Sequence, residues 1–286
     1  MASARRFDTQ DERTWCPGCG NYLLLACLKE TLHRLDKQPH EVLICSGIGQ
    51  AAKLPHYLKA NCFNGLHGRA LPAAFAAKVV NPGLTVIVST GDGDSYGEGG
   101  NHFLHAMRRN IDIAHFVHDN GVYGLTKGQA SPTIDLGRAT PGHPAGVRSE
   151  ALNPLALAIS QDAGFVARGF VGEREHLIEL MKAAIEYRGY ALVDILQPCP
   201  VYNKVNTLQW YKERVRPLDG KHDPVDRRAA FALSLAWGDE GIPIGILYRK
   251  DKPTFADRLS HLDPDVPLVD KALDPQAARA FMDAFF

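Results

Sequence analysis

Apolar runs alternate with amphipathic stretches over most of the chain. Val86-Ile87-Val88, Ile113 to Val117, Phe165 to Arg168 and Ala191 to Leu196 are short and β-branched or aromatic in character, which predicts strands. Glu41 to Cys45 and Ile242 to Tyr248 extend that set. Between them, Asn21 to Leu35, Ala70 to Val79, Asn101 to Arg109, Pro154 to Gln161, His176 to Arg188 and Arg227 to Trp237 are helix-compatible. Strand-helix alternation predicts an α/β fold with a mostly parallel sheet flanked by helices. A long loop rich in Gly, Pro, Ser and Thr is expected from Lys127 to Glu150, a length that in compact domains is usually functional.

Three segments follow: an N-terminal arm at 1–20, an α/β domain at 21–202 and a C-terminal extension at 203–286 expected to pack on the domain and on a partner. No second domain of comparable type is present in the sequence, so the expected site is half of a composite one.

Composition narrows the compartment more than the chemistry. The 286 residues are 45% hydrophobic and 22% charged, enough to fill a core. Lys plus Arg equal Asp plus Glu at 32 each, which removes the electrostatic reason to expect nucleic acid or an anionic membrane. The first residues lack an apolar signal core, and no run reaches the ~20 apolar residues of a membrane span. A cytoplasmic protein is expected. Six cysteines are too sparse for a disulfide scaffold in a chain this long, so metal binding or catalysis is the better use for the close pair.

The chemistry concentrates between Thr85 and Thr126. One strand ends in Gly91-Asp92-Gly93-Asp94 and its neighbour in Asp119-Asn120-Gly121. Ligands of open parallel sheets bind outside the carboxyl ends of the strands. Glycines there let backbone N–H groups approach a diphosphate. A carboxylate on Asp92, an amide oxygen on Asn120 and a backbone carbonyl just beyond it suit Mg2+, which takes oxygens in octahedral array and keeps phosphate ligands. A bare glycine turn after a strand is the alternative, but it leaves the paired Asp and Asn without a purpose. His102, His105, His115 and His118 crowd the same stretch without a ligand pattern, so solvent contact or core hydrogen bonding is expected of them.

Cys16-Pro17-Gly18-Cys19 opens the first helix. A thioredoxin-like pair would need a strand just before it, and a structural zinc site usually has a second pair. An iron–sulfur cluster can draw four thiolates from scattered positions. Cys27 and Cys62 are expected in the core or at its boundary.

WCPGCGNY, SGIGQAAKLPHY, GLHGRA, GDGDSYGEGGNHF, DNGVYGLTKGQASPT and LQPCPVYN, in this order, resemble the β subunit of two-subunit 2-oxoacid:ferredoxin oxidoreductases. The resemblance runs from about Trp15 to Tyr248. It implies a thiamine-diphosphate-binding fold, Mg2+ on Asp92, Asn120 and the Val122 carbonyl, and a cofactor pocket formed by Ile48, Gly49, His67, Gly91, Asp92, Gly93, Asp94, Asn120, Val122, Gly124, Leu125 and Thr126. Lys53, Arg69 and Leu125 would lie towards the substrate. The implied reaction is CoA-dependent oxidative decarboxylation of 2-oxoglutarate or pyruvate to acyl-CoA and CO2, or its reverse, with electrons passed through a [4Fe-4S] cluster to ferredoxin. The partner is an α subunit, in a heterodimer or heterotetramer, which would carry the activating glutamate; no catalytic residue is assigned in this chain. Cys16, Cys19 and Cys199 match three cluster positions. Where the family places the fourth cysteine, after Gly-Ile-Gly, this chain has Gln50, and Cys45 is the candidate replacement; a cluster with a non-cysteine fourth ligand, or none, is the alternative, and the competing functions are a non-oxidative thiamine-diphosphate enzyme subunit without a cluster and a zinc-stabilised non-catalytic interaction subunit.

Overall fold

The computed structural model describes residues 4–259, 262, 263, 265–272 and 274–285; positions 1–3 of the expected arm and 260, 261, 264, 273 and 286 of the expected extension lie outside the described residues. In chain order the main elements are α1 (Asn21–Arg34), β1 (Val42–Ser46), β2 (Asn61–Asn64), α2 (Ala70–Val80), β3 (Thr85–Gly91), α3 (Gly100–Arg109), β4 (Ile113–Asp119), β5 (Val122–Tyr123), β6 (Gln129–Ala130), α4 (Pro154–Ser160), β7 (Phe165–Phe170), α5 (Arg174–Glu186), β8 (Tyr190–Leu196), α6 (Leu208–Arg214), β9 (Val215–Pro217), α7 (Arg227–Leu235), β10 (Ile242–Arg249) and α8 (Pro275–Asp283).

Eight strands form one sheet in the order β2-β1-β3-β4-β8-β7-β10-β9, and β5 pairs with β6 in a small hairpin. The strands from β2 to β7 run parallel; β10 is antiparallel to β7, and β9 follows β10. Residues 215–249 therefore complete the same sheet. The central strands are buried at every position of β4, β7 and β8, as a sheet covered on both faces requires.

Period-two alternation sorts each strand between two cores. Val42 and Ile44 face a core with Leu24, Leu28 and Leu32 of α1 and Leu177, Ile178 and Met181 of α5. Cys45, Val86 and Val88 face the other, with Leu71 and Ala74 of α2, Phe103 and Met107 of α3 and Leu155 and Ile159 of α4. Arg34 ties α1 to α5 through Glu175 and Glu179 at 2.8 and 3.1 Å. Asn153 caps α4 by accepting from Ala156 N at 2.9 Å, with Pro154 in the first turn, where its missing N–H costs nothing. No helix among the described residues is long and apolar enough to cross a membrane.

His115 and His118 are fully buried on β4 and hydrogen-bonded within the core. His118 Nδ1 lies 2.7 Å from Asn21 Oδ1, an acceptor, so Nδ1 carries the proton and Nε2 accepts from Ser89 Oγ at 3.0 Å. Burial pushes both imidazoles down to about 3, keeping them neutral. An unfolded chain protonates them near the ordinary pH of ~6.5. Stability from the neutral rings is thus present above that value and lost as pH falls towards 3. His118→Gln is expected to lose about 2 kcal/mol less than the parent between pH 6.5 and 4.5 in denaturant titrations. Buried carboxylates titrate alike in both proteins and cancel in the difference.

Candidate cofactor site

β3 and β4 are parallel neighbours with Gly91 opposite His118, so Asp92 and Asn120 emerge side by side at the carboxyl edge. Asp92 is 1% exposed. Its Oδ2 accepts from Gly121 N at 3.0 Å, Ser131 Oγ at 2.5 Å and Thr133 Oγ1 at 2.7 Å. Gly121 reaches that position with φ +75°, a conformation that favours glycine. The three donors fix the carboxylate and leave Oδ1 as its less engaged oxygen. Asn120 is held at both ends: its Oδ1 accepts from Val122 N at 3.0 Å, and its carbonyl accepts from Asn203 Nδ2 at 3.1 Å.

A π-helical turn, Gly93–Glu98, follows Asp92. Tyr123 packs over it, donating to Gly93 O at 3.3 Å, and a Cβ on Gly93 would meet the Tyr123 ring at 2.3 Å. Asp94 turns the other way. Its Oδ1 accepts from Ile48 N at 3.1 Å and Gly68 N at 2.8 Å, which draws the Gly47-Ile48-Gly49 loop and the His67 loop to the same edge. Asp94 Oδ2 is buried without a partner. His67 Nδ1 is 3.5 Å from Asp94 Oδ1.

All the pocket positions named from the sequence line one cleft, together with Gln50, Ala51 and Tyr123. Lys53 and Arg69 do not. Lys53 Nζ reaches Thr14 Oγ1 at 3.2 Å, and Arg69 Nη1 is 2.6 Å from His102 Nε2, so neither cation is aimed into the cleft. Leu125 does line it and is 44% exposed, an apolar rim open to a partner surface.

Cys16, Cys19 and Cys199 are brought together ahead of α1 and after β8. Burial pushes the Cys19 thiol up, and the nearby Cys199 and Cys16 add to this. Cys45 is not with them. It is fully buried in the opposite core, where burial pushes its thiol up to about 12 and the neighbouring thiol is Cys62. The expectation that Cys45 replaces the missing ligand is therefore corrected: alternation along β1 points it to the wrong side of the sheet. Among the described residues no group of three or more His, Cys, Asp or Glu side chains is placed to hold a metal ion.

Residues 45–195 match the thiamine pyrophosphate enzyme C-terminal TPP-binding domain, and residues 199–264 the C-terminal region of the pyruvate ferredoxin oxidoreductase β subunit. A 2-oxoacid:ferredoxin oxidoreductase subunit β of Saccharolobus solfataricus is 44% identical over 87% of this chain and 86% of its own length. The chain belongs to the 2-oxoacid:ferredoxin oxidoreductase β subunits. One from Aeropyrum pernix is 40% identical over 87% of this chain and 82% of its own. A solved 2-oxoglutarate:ferredoxin oxidoreductase from Magnetococcus marinus, with 2-oxoglutarate, coenzyme A and succinyl-CoA bound, superposes with a TM-score of 0.87 at 34% identity. That match covers 90% of this chain and 87% of the solved one. The chain is thus an oxidoreductase subunit of the two-subunit type with a thiamine-diphosphate-binding domain.

In this family member a second row of polar groups stands behind Asp92. Thr133 Oγ1 lies 2.7 Å from both Asp92 Oδ2 and Asp119 Oδ1. Asp119 is held well above the usual carboxylate range by burial and by Asp194 and Asp92 nearby. Asp194 is pushed up to about 6 by burial, against the pull of Arg168 on the neighbouring strand and the Tyr96 hydroxyl at 2.8 Å. Ser131 and Thr133 were not singled out from the sequence, although both stand in the QASPT part of a motif that was. Thr133→Val is expected to weaken Mg2+-dependent thiamine diphosphate binding about 10-fold, as loss of an outer-shell hydrogen bond does, while Thr133→Ser binds like the parent. Titration of the cofactor into each variant checks this.

Proposed function

We propose that the chain is the cofactor-bearing half of a CoA-dependent 2-oxoacid:ferredoxin oxidoreductase acting on 2-oxoglutarate or a close analogue, completed by an α subunit. The observation that carries the reading is the adjacency of two chemistries at one sheet edge. Gln50, which lines the oxygen-rich cleft, accepts through its carbonyl from Trp15 Nε1 at 2.8 Å, and Trp15 directly precedes Cys16 of the three-cysteine group. The choice of 2-oxoglutarate and CoA rests on the ligands of the Magnetococcus neighbour.

The donor set fits the metal. Asp92, Asn120 and the Val122 carbonyl are all oxygen donors, and burial pushes the Asp92 carboxyl up, so a divalent cation would supply the countercharge that favours its ionised form. Gly91 and Gly93 leave room for the diphosphate beside it. Thiamine diphosphate would supply the carbon nucleophile and electron sink for decarboxylation, and an iron–sulfur cluster, which Cys16, Cys19 and Cys199 would hold, would supply a one-electron path to ferredoxin. The chain's own part is to orient and exclude water: Asp92 is locked by three donors, Asp94 holds the Ile48 and His67 loops in place, and Val122 and Leu125 present apolar walls.

The test is the visible spectrum of the complex purified anaerobically with its α subunit, with iron, sulfide and zinc assayed on the same sample. Iron and sulfide should be present, and 2-oxoglutarate with CoA should bleach the visible absorption and reduce added ferredoxin. Zinc without iron would overturn the electron-transfer half of the reading.

A further inference from the structure

The carbonyls of Asp119 and Asn120, where β4 ends, are both held from one short segment that contains Cys199. Asp119 O accepts from Gln197 N at 2.8 Å, and Asn120 O accepts from Asn203 Nδ2 at 3.1 Å. The second contact fixes a peptide plane. Its N–H, on Gly121, donates to Asp92 Oδ2 at 3.0 Å, so the 120–121 peptide is gripped at its oxygen by Asn203 and at its nitrogen by Asp92. Gly121 has φ +75° and no Cβ, so without those two bonds the peptide would turn over readily. Asn203 is itself buried and locked. Its Oδ1 accepts from Val205 N at 3.2 Å and Asn206 N at 3.0 Å, and its Nδ2 also donates to Asn206 Oδ1 at 3.1 Å. The turn that presents it starts at Cys199, whose carbonyl accepts from Asn203 N at 3.1 Å and whose Sγ accepts from Tyr202 N at 3.5 Å. Cys199 and Tyr202 also pack on the small apolar cluster of Val122, Ile134 and Val147.

We propose that Asn203 is a positioning residue that couples the cofactor edge to Cys199. The inference rests on the cofactor reading above and does not depend on what Cys199 ligates. On one side Asn203 holds the backbone that carries Asn120 and leads into Val122, two of the three oxygen donors offered to a cation. On the other it closes the turn that sets the Cys199 thiol. A cation and diphosphate bound at the edge tighten the 120–121 peptide, and the tightening reaches Cys199 through one side chain and one turn. Such coupling is reciprocal, so loosening the Asn203 contact weakens the cofactor as well. Asn206 shares the turn, with its Oδ1 accepting from Asn203 Nδ2 and from Arg138 Nη2 at 3.4 Å. The two asparagines therefore separate positioning from folding.

The experiment uses the αβ complex, stripped of metal with chelator and oxidant, reduced again and titrated with Mg2+ and thiamine diphosphate. Maleimide labelling of Cys199 is read by peptide mass spectrometry against Cys16, which is exposed and outside the turn. Saturating cofactor should slow Cys199 labelling by about 5-fold or more in the parent. Asn203→Asp can keep both bonds from Val205 N and Asn206 N but turns an oxygen towards Asn120 O. It should bind the cofactor about 10-fold more weakly and lose the protection even at saturation. Asn203→Ala, which removes the donor without adding a charge, should show the same two losses. Asn206→Ala should melt lower yet keep parent affinity and protection. The coupling is overturned by a parent Cys199 that labels at one rate with and without cofactor, by protection that survives in both Asn203 variants, or by equal losses in Asn206→Ala. A parent that binds no cofactor overturns the cofactor reading itself, and the proposal with it.

Discussion

Asp92→Asn is expected to weaken Mg2+-dependent thiamine diphosphate binding by at least ~100-fold while the chain still folds. The amide oxygen of Asn can keep accepting from Gly121 N, Ser131 Oγ and Thr133 Oγ1, so the local hydrogen bonds survive. What changes is the other atom of the group: an NH2 donor replaces the oxygen a cation would use, and the charge is gone. Burial disfavours the ionised Asp92, so the unliganded variant should melt at or above the temperature of the parent. Calorimetric titration and thermal melts on one preparation separate the two effects. Parent-like cofactor affinity in this variant would show that Asp92 is a structural residue only.

Gly68→Ala is expected to cost about 3 kcal/mol and lower the melting temperature by roughly 6–12 °C. Gly68 has φ +68°, where an L side chain is strained. A Cβ there would lie 2.4 Å from Gly99 N and 2.5 Å from Glu98 C, and both are backbone atoms that cannot rotate away. Relief requires pushing the His67 loop off the π-helical turn, which breaks the 2.8 Å bond from Gly68 N to Asp94 Oδ1. Cofactor binding should fall along with stability, because the same carboxylate holds Ile48. Gly100→Ala is the matched control: nothing lies within 4 Å of its Cβ, and alanine improves a helical position. Equal melting temperatures for the two variants would mean that the close approach of these loops does not matter.

The strands most legible in the sequence are those the structure buries on both faces. Ile113 to Val117 and Ala191 to Leu196 carry enough apolar character to be found without any partner, and Asp194 did not hide the second because its charge is met inside the sheet by Tyr96 and Arg168. β2 was missed for the converse reason: all four of its residues are exposed on a sheet edge, so Asn61 to Asn64 has no apolar signature. The cleft-lining positions of the carboxyl edge were legible because glycine and acid at a strand end have a specific use. Ser131 and Thr133 were not, because they reach Asp92 only through the β5–β6 hairpin, whose paired segments are two residues each. Lys53 and Arg69, expected towards the substrate from their charge, are engaged by the fold with Thr14 and His102 outside the cleft lining. For Cys45 the signal was present: Ile44 and Cys45 are adjacent in a strand, so they face opposite cores.

The central claim is that the edge between Asp92 and Asn120 binds thiamine diphosphate through a divalent cation. Calorimetric titration of thiamine diphosphate into the apo αβ complex, once with Mg2+ and once with EDTA, tests it most directly. Saturable binding of one cofactor per β chain that disappears in EDTA and in Asp92→Asn is the predicted result. Binding of equal strength without a divalent cation, or none in its presence, would contradict the account.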